Sequence, residues 1–181
     1  MTLPPLPTRL TTARLVLRPW QPRDAEALRA ALDASDAHLR PWVPFMREEP
    51  RTLAATREAV AAYPLDPRAA RYSVWGEGEV LLGEVLLMGH PAPATLEIGY
   101  WLHAEHTGHG YAREAVAALV SVGLGCPGVG RVVFRCDVRN HASSAVAHAL
   151  GAVLDHVAVE GPADDRASLG HWVLTGLGRA R

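Results

Sequence analysis

Apolar residues recur along this chain with two periods, and the periods change in blocks. From Arg14 to Pro19 they alternate singly, with Leu15 and Leu17 on one side, which predicts a first strand. Helical spacing follows. Leu28, Ala31 and Leu32 share a face, Pro22 opens the segment, and Asp24 is the expected N-cap. Ser35 or Asp36 caps a short second helix that runs out at Arg40, Pro41, Trp42, Val43, Pro44 and Phe45. Thr52 to Tyr63 carries a third helical pattern, with Leu53, Thr56, Val60 and Tyr63 in phase.

The middle of the chain reads as sheet. Residues 71–75 and 80–88 flank Gly76, Glu77, Gly78 and Glu79, a hairpin with a short glycine turn, and Pro91 to Pro93 lead into a strand over 95–102. In that strand Leu96, Ile98, Tyr100 and Leu102 share one side. A helix over 110–123 follows, with Ala115, Val116, Leu119 and Val120 on one face. Residues 131–138 alternate again, with Val132, Phe134, Cys136 and Val138 facing one way. A helix from Asn140 to Leu150 stops at Gly151. Residues 153–159 and 171–177 are two last strands around an acidic loop with Glu160, Asp164 and Asp165. The order predicts an α/β (α+β) fold, a layer of helices on a mixed sheet of about seven strands.

Composition changes this picture little. With 181 residues, 49% of them hydrophobic, the chain can bury one core, so we expect one domain over 14–181 behind a proline-rich arm over 1–13. No apolar run approaches the roughly 18 residues of a membrane span, and the N-terminus lacks a signal-peptide apolar stretch, so neither a membrane partner nor secretion is expected. A net charge of −1 offers no basic footprint for nucleic acid. Cys126 and Cys136 do not make a disulfide framework and fit a reducing cytoplasm. All basic residues are arginine, a skew that points to a high-GC bacterial coding source.

The chemistry gathers between Glu97 and Ala112. A strand, a loop with Gly108 and Gly110, and the start of a helix together form an anion-binding device. The first helical N–H groups lack intrahelical acceptors, and the macrodipole places partial positive charge there. Glycine lets a phosphate approach the backbone closely. Such a cradle suits a nucleotide, a dinucleotide or coenzyme A. A dinucleotide fingerprint is only imitated, because Arg113 stands where the third glycine belongs and the β-rich order is wrong for a doubly wound sheet. His103, His106 and His109 recur every third residue, yet they straddle a strand end and a loop with no clear fourth ligand, so no metal is expected.

Five blocks then stand in a telling order. They are Thr12 to Arg18 with Asp24 and Ala25 downstream, Leu39 to Trp42, Glu97 to Leu102, Gly108 to Ala112, and Asn140 to Ser143 leading to Leu150 and Gly151. In these blocks the chain resembles the GCN5-related N-acetyltransferases (GNAT) of the RimJ/RimL-like ribosomal-protein N-terminal acetyltransferase subgroup, from about residue 9 to 177. The resemblance implies the GNAT fold, in which the strand bearing Trp101 and Leu102 splays from the strand bearing Cys136 and Val138. It also implies acetyl-CoA, or another acyl-CoA, as co-substrate and no metal. Pantetheine would lie in the gap like an added strand.

The subgroup's loop, Gln/Arg-x-x-Gly-x-Gly/Ala, falls on Thr107, Gly108, His109, Gly110, Tyr111 and Ala112. Gly110 and Ala112 match, and Thr107 departs from the pattern. Trp101, Leu102, His103 and the loop would line the coenzyme. Arg113 either meets its 3′-phosphate or is a solvated helix-face arginine. Asn140, the single asparagine of the chain, would bond the pantetheine arm, cap the following helix, or do both.

The implied reaction is attack of a primary amine on a thioester. An α-amine with a pKa near 8 is only about 10% free at pH 7, so a base must take a proton. Glu97 is the candidate base, acting through water; its alternative is a structural carboxylate at the sheet's open edge. Ser143 matches the position from which a serine reaches the sulfur, and is the candidate acid. Its alternative is a first-turn residue bonding its own backbone. Trp20, Trp42, Phe45 and Tyr72 are candidate acceptor walls by family analogy. The resemblance leaves open a protein N-terminus or a small-molecule amine as acceptor, acetyl or a larger acyl group, and a homodimer. An acyl-CoA-binding sensor without turnover is the alternative function.

Overall fold

The computed structural model describes residues 2–161 and 166–176. Asp164 and Asp165 of the acidic loop, and Leu177 at the end of the strand expected over 171–177, lie outside them. Among the described residues one sheet holds eight strands: β1 (Leu10–Thr11), β2 (Val16–Pro19), β3 (Ala69–Trp75), β4 (Leu81–Gly89), β5 (Thr95–Leu102), β6 (Arg131–Asp137), β7 (Val153–Glu160) and β8 (Ala167–Thr175). Their order is β1-β2-β3-β4-β5-β6-β8-β7, with every neighbouring pair antiparallel except β5 and β6. The helices are α1 (Ala25–Ala34), α2 (Asp36–Leu39), α3 (Leu53–Ala62), α4 (Tyr111–Gly125) and α5 (His141–Ala149).

Strand alternation sorts side chains onto two faces, and each face has its own core. On one, Leu17, Tyr72, Val74, Val85, Leu87, Leu96, Ile98, Val132 and Phe134 pack against Ala115, Val116, Leu119 and Val120 of α4. On the other, Leu81 and Trp101 pack with Trp20, Leu28, Ala31, Leu32, Leu39 and Val60 from the α1–α3 side. Helices therefore cover both faces.

Three details depart from the sequence-based expectation. The eighth strand is Leu10–Thr11, where Leu10 pairs with Leu17; two residues are too few to show a period. Strand β8 begins at Ala167 rather than His171, because β6 templates its pairing as far as Asp137 opposite Leu169. Asp24 does not cap α1 with its side chain. Its buried carboxylate instead accepts Arg18 Nη1 and Nη2 at 2.7 and 2.8 Å and the Gln21 N–H at 2.8 Å. A bidentate guanidinium is the stronger partner.

The register between β5 and β6 defines the rest of the molecule. Their parallel ladder runs from Thr95 opposite Arg131 to Ile98 opposite Phe134, and there it ends. β5 nevertheless stays paired with β4 as far as Leu102 opposite Gly83, and β6 stays paired with β8 as far as Asp137. Residues 99–102 and 135–137 thus flank a gap in the middle of the sheet, without pairing across it.

Candidate active site

A strand half with no neighbour on one side needs other anchors, and the free half of β5 has one on each face. Trp101 donates from Nε1 to Glu84 Oε2 at 3.3 Å. Glu84 is 2% exposed, a charge that burial would penalise heavily were it unpaired. Arg71 supplies the pair, with Nε at 2.6 Å and Nη2 at 3.0 Å, and lies 4.0 Å from the Tyr63 ring centroid. On the opposite face, Tyr100 reaches α5. Its hydroxyl lies 3.0 Å from the Ser143 carbonyl oxygen and 2.9 Å from Ser143 Oγ. Burial pushes the Tyr100 phenol up to about 12, against the opposing pull of the Ser143 bond. It is a donor throughout the physiological range.

Neither anchor follows from the sequence. Glu84 has a visible signal, being the lone carboxylate in the apolar run of β4. Tyr100 has none, since its partner lies 43 residues away.

The glycine loop sits beside the mouth of this gap. Gly110 is the N-cap of α4 with φ 80°, and Gly108 has the same φ, a conformation that suits glycine. A Cβ on Gly108 would meet nothing within 4 Å, so the loop's outer surface is open to a ligand. The N–H groups of residues 108–113 find no backbone acceptor among the described residues.

The loop is fixed from below. Arg14 donates from Nη1 to the His109 carbonyl at 3.0 Å and from Nε to Glu114 Oε2 at 2.7 Å, while Thr12 donates to Glu114 Oε1 at 2.6 Å. Burial raises the Glu114 carboxyl, but the bonds from Thr12 and Arg14 outweigh it and hold it below the usual carboxylate range. Thr107 turns its hydroxyl back onto the Ala104 carbonyl at 3.0 Å, which accounts for a residue that departs from the family pattern. Arg113 is exposed on the first turn of α4.

Glu97 lies on the face opposite Ile98 and Tyr100, at the last rungs of the β5–β6 ladder. Its Oε1 accepts Arg135 Nε at 2.9 Å, and Oε2 has no hydrogen bond among the described residues. Arg135 also donates to Glu160 at 2.7 Å, which in turn meets His171 Nε2 at 2.7 Å. Asn140 caps α5, its Oδ1 accepting the Ser143 N–H at 3.1 Å, and its amide nitrogen is left without a partner among the described residues. Glu97 thus lies one rung inside the end of the ladder, while on the opposite face Ser143 is tied to Tyr100 of the free half of β5 and Asn140 is tied to Ser143.

Of the four candidate acceptor walls, Trp20 and Tyr72 both line one cavity of about 360 Å³ beside Leu3 to Pro7, and Trp42 and Phe45 lie outside it. Trp20 is 2% exposed, in the core under α1, with Nε1 unbonded. Tyr72 is buried on the α4 face, where it donates to the Pro7 carbonyl at 2.6 Å. Trp42 is 38% exposed on the surface. Phe45 alone lines the cavity of about 110 Å³ that Glu84, Arg71, Glu49 and Tyr63 enclose. His103 accepts the Glu105 N–H on Nδ1, and its ring lies 5.1 Å from that of His106. No group of three or more His, Cys, Asp and Glu among the described residues is placed to hold a metal ion. Likewise no described helix is long and apolar enough to cross a membrane.

A mid-sheet gap beside a glycine-started helix is the arrangement of an acyl-CoA-dependent transferase, and comparison with known proteins agrees. The acetyltransferase (GNAT) domain family matches residues 14–153. A Bacillus subtilis (strain 168) protein, YkkB, is 28% identical over 150 residues, 80% of this chain and 84% of its own. Among solved structures, the ribosomal L7/L12 α-N-protein acetyltransferase RimL in complex with coenzyme A superposes with a TM-score of 0.81 at 22% identity, over 94% of this chain and 97% of that one. The microcin C7 self-immunity acetyltransferase MccE, in complex with acetyl-CoA and AMP, gives 0.80 at 18% identity, over 91% and 93%. The chain belongs to the GNAT acetyltransferase family. It is an acyl-CoA-dependent acyltransferase.

Proposed function

We propose that this protein transfers an acetyl group from acetyl-CoA to a primary amine, by direct attack of the amine nitrogen on the thioester carbonyl. The observation that carries the reading is the β5–β6 ladder, which ends at Ile98 and Phe134 beside the glycine-started helix α4. Backbone N–H groups of residues 108–113 would take the pyrophosphate, and the unpaired edges of 99–102 and 135–137 would take pantetheine as an added strand. Trp101, Leu102 and His103 line that path. The Asn140 amide nitrogen, left over by the cap, is suited to a pantetheine carbonyl.

Glu97 is our candidate base, with Oε2 available to a water or to the amine. The gap-facing N–H groups of β5 are suited to the carbonyl oxygen as charge develops on it. Ser143 stands at the coenzyme's side of the gap for the sulfur. Protein N-termini are the acceptor class we favour, since solved relatives at similar TM-scores carry that activity in their names.

Thiol release from acetyl-CoA across a panel of amines tests this reading. The panel holds N-terminal peptides, aminoglycosides and polyamines. We expect release with at least one N-terminal peptide, and a matching acetylated product by mass. Silence with every amine, in a protein that binds acetyl-CoA, would contradict it.

A further inference from the structure

Tyr100 does more in this geometry than hold a strand. It stands two residues beyond the last rung of the β5–β6 ladder, on the same face as Ile98, and its side chain reaches from the unpaired half of β5 to α5. Its hydroxyl then meets both oxygens of Ser143, the carbonyl at 3.0 Å and Oγ at 2.9 Å. Asn140 fixes the same residue from the other side through the Ser143 N–H at 3.1 Å. The neighbouring Ser144 is spent elsewhere, with Oγ donating to the Asn140 carbonyl at 3.2 Å. Ser143 is thus held at two points, its hydroxyl and carbonyl by Tyr100 and its N–H by Asn140.

We propose that Tyr100 is a positioning residue for departure of the coenzyme sulfur: it holds Ser143 so that the Ser143 Oγ–H is presented to the sulfur as the C–S bond breaks. This rests on the acyl-transfer reading above. A carbonyl can only accept, so the Tyr100 O–H has two arrangements. Donated to the Ser143 carbonyl, it leaves its oxygen to accept the Ser143 Oγ–H, and the hydroxyls are closed on each other. Donated to Ser143 Oγ, it frees the Oγ–H for the sulfur. Two hydroxyl rotations separate the arrangements, and no heavy atom moves.

The step balances simply. The amine nitrogen forms the new C–N bond, the C–S bond breaks, its electron pair goes to sulfur, and the amine's proton leaves through Glu97 and water. Magnitudes decide what the pair then supplies. The Ser143 hydroxyl is an aliphatic alcohol, which holds its proton far more tightly than a free thiol that ionises near 8.5. A group that holds its proton more tightly than the thiol stabilises the thiolate by hydrogen bonding and keeps its own proton. Ser143 is then a donor to the thiolate rather than an acid, and water completes the thiol.

The ionisation of bound coenzyme A reads this directly, because no acceptor amine is needed. The thiol of coenzyme A bound to the whole protein is titrated by thiolate absorbance, with the complex of a coenzyme analogue lacking the sulfur as the blank for Cys126 and Cys136. Tyr100→Phe and Ser143→Ala should each raise the ionisation pKa of the bound thiol by about one unit, a tenfold change in the constant. The double variant should do no more than the larger single one, since the two groups act in series. Coenzyme affinity should stay within about threefold, because backbone contacts dominate it.

A bound thiol that titrates at the same pH in Tyr100→Phe as in the unaltered protein overturns the proposal, whatever Ser143→Ala does. If Tyr100→Phe does not fold, 3-fluorotyrosine at position 100 takes its place, and a bound thiol whose pKa is unmoved by the more acidic hydroxyl overturns the proposal. Absence of coenzyme binding in the unaltered protein would instead bring down the acyl-transfer reading, and this inference with it.

Discussion

Replacing Gly83 with alanine should lower the Tm by about 6–12 °C, from a destabilisation of about 3 kcal/mol in a chain of this size. Gly83 pairs with Leu102 on β4, opposite the free half of β5, and has φ 154°. A Cβ there would lie 2.1 Å from the Trp101 carbonyl oxygen and 2.9 Å from Leu102 Cα. Both are backbone atoms, so no side-chain rotation relieves the clash, and β4 and β5 must separate. The register also shifts between Val74 and Trp75, opposite this point, which shows how closely the strands are adjusted here. β5 has no partner at residues 99–102 except β4, so the same substitution should loosen the gap and weaken acetyl-CoA binding. Thermal melting with and without acetyl-CoA checks both effects. A loss under about 2 °C would mean that the ladder yields without cost at this rung.

Glu97→Gln should reduce kcat by about 100-fold or more, with acetyl-CoA affinity changed less than about threefold. The amide keeps the size of the side chain and removes its capacity to take a proton. Part of the outcome is a simple structural loss, because Glu97 Oε1 also accepts Arg135 Nε at 2.9 Å and so ties β5 to β6. Such a partly exposed pair contributes only about 1 kcal/mol, so a small Tm change is expected alongside the large kinetic one. The pH profile separates the two contributions. An α-amine acceptor goes from about 10% to about 90% free between pH 7 and 9, so the variant should recover about tenfold over that range. Unchanged turnover would leave Glu97 as a strand tie and place the base elsewhere.

The periodic parts of this fold are legible in the sequence because period reports burial directly. The α4 face of Ala115, Val116, Leu119 and Val120 is buried as the spacing requires, and so are Leu96 and Ile98 on β5. Where a residue's partner is distant in sequence, the same reasoning has nothing to work with. Asp24 has the makings of an N-cap, yet Arg18 holds it. Tyr100 reads as one more apolar position, yet its hydroxyl finds Ser143.

The aromatic residues show the limit from the other side. Trp20 and Tyr72 are largely buried yet both line one cavity, Phe45 lines another, and Trp42 stays at the surface, so no single pocket unites all four. The gap itself is a matter of register, which alternation cannot report: 99–102 and 135–137 look like ordinary strand. Its expectation comes from the family resemblance, and its demonstration from the ladder that ends at Ile98.

Hydrogen–deuterium exchange with and without acetyl-CoA tests the central claim, that the coenzyme fills this gap. Gap-facing backbone amides in 99–102 and 135–137 should become protected on binding, together with those of 108–113 at the start of α4. Exchange elsewhere in the sheet should change little. Binding that leaves these three segments as unprotected as before, or that protects a different face of the molecule, would contradict the account.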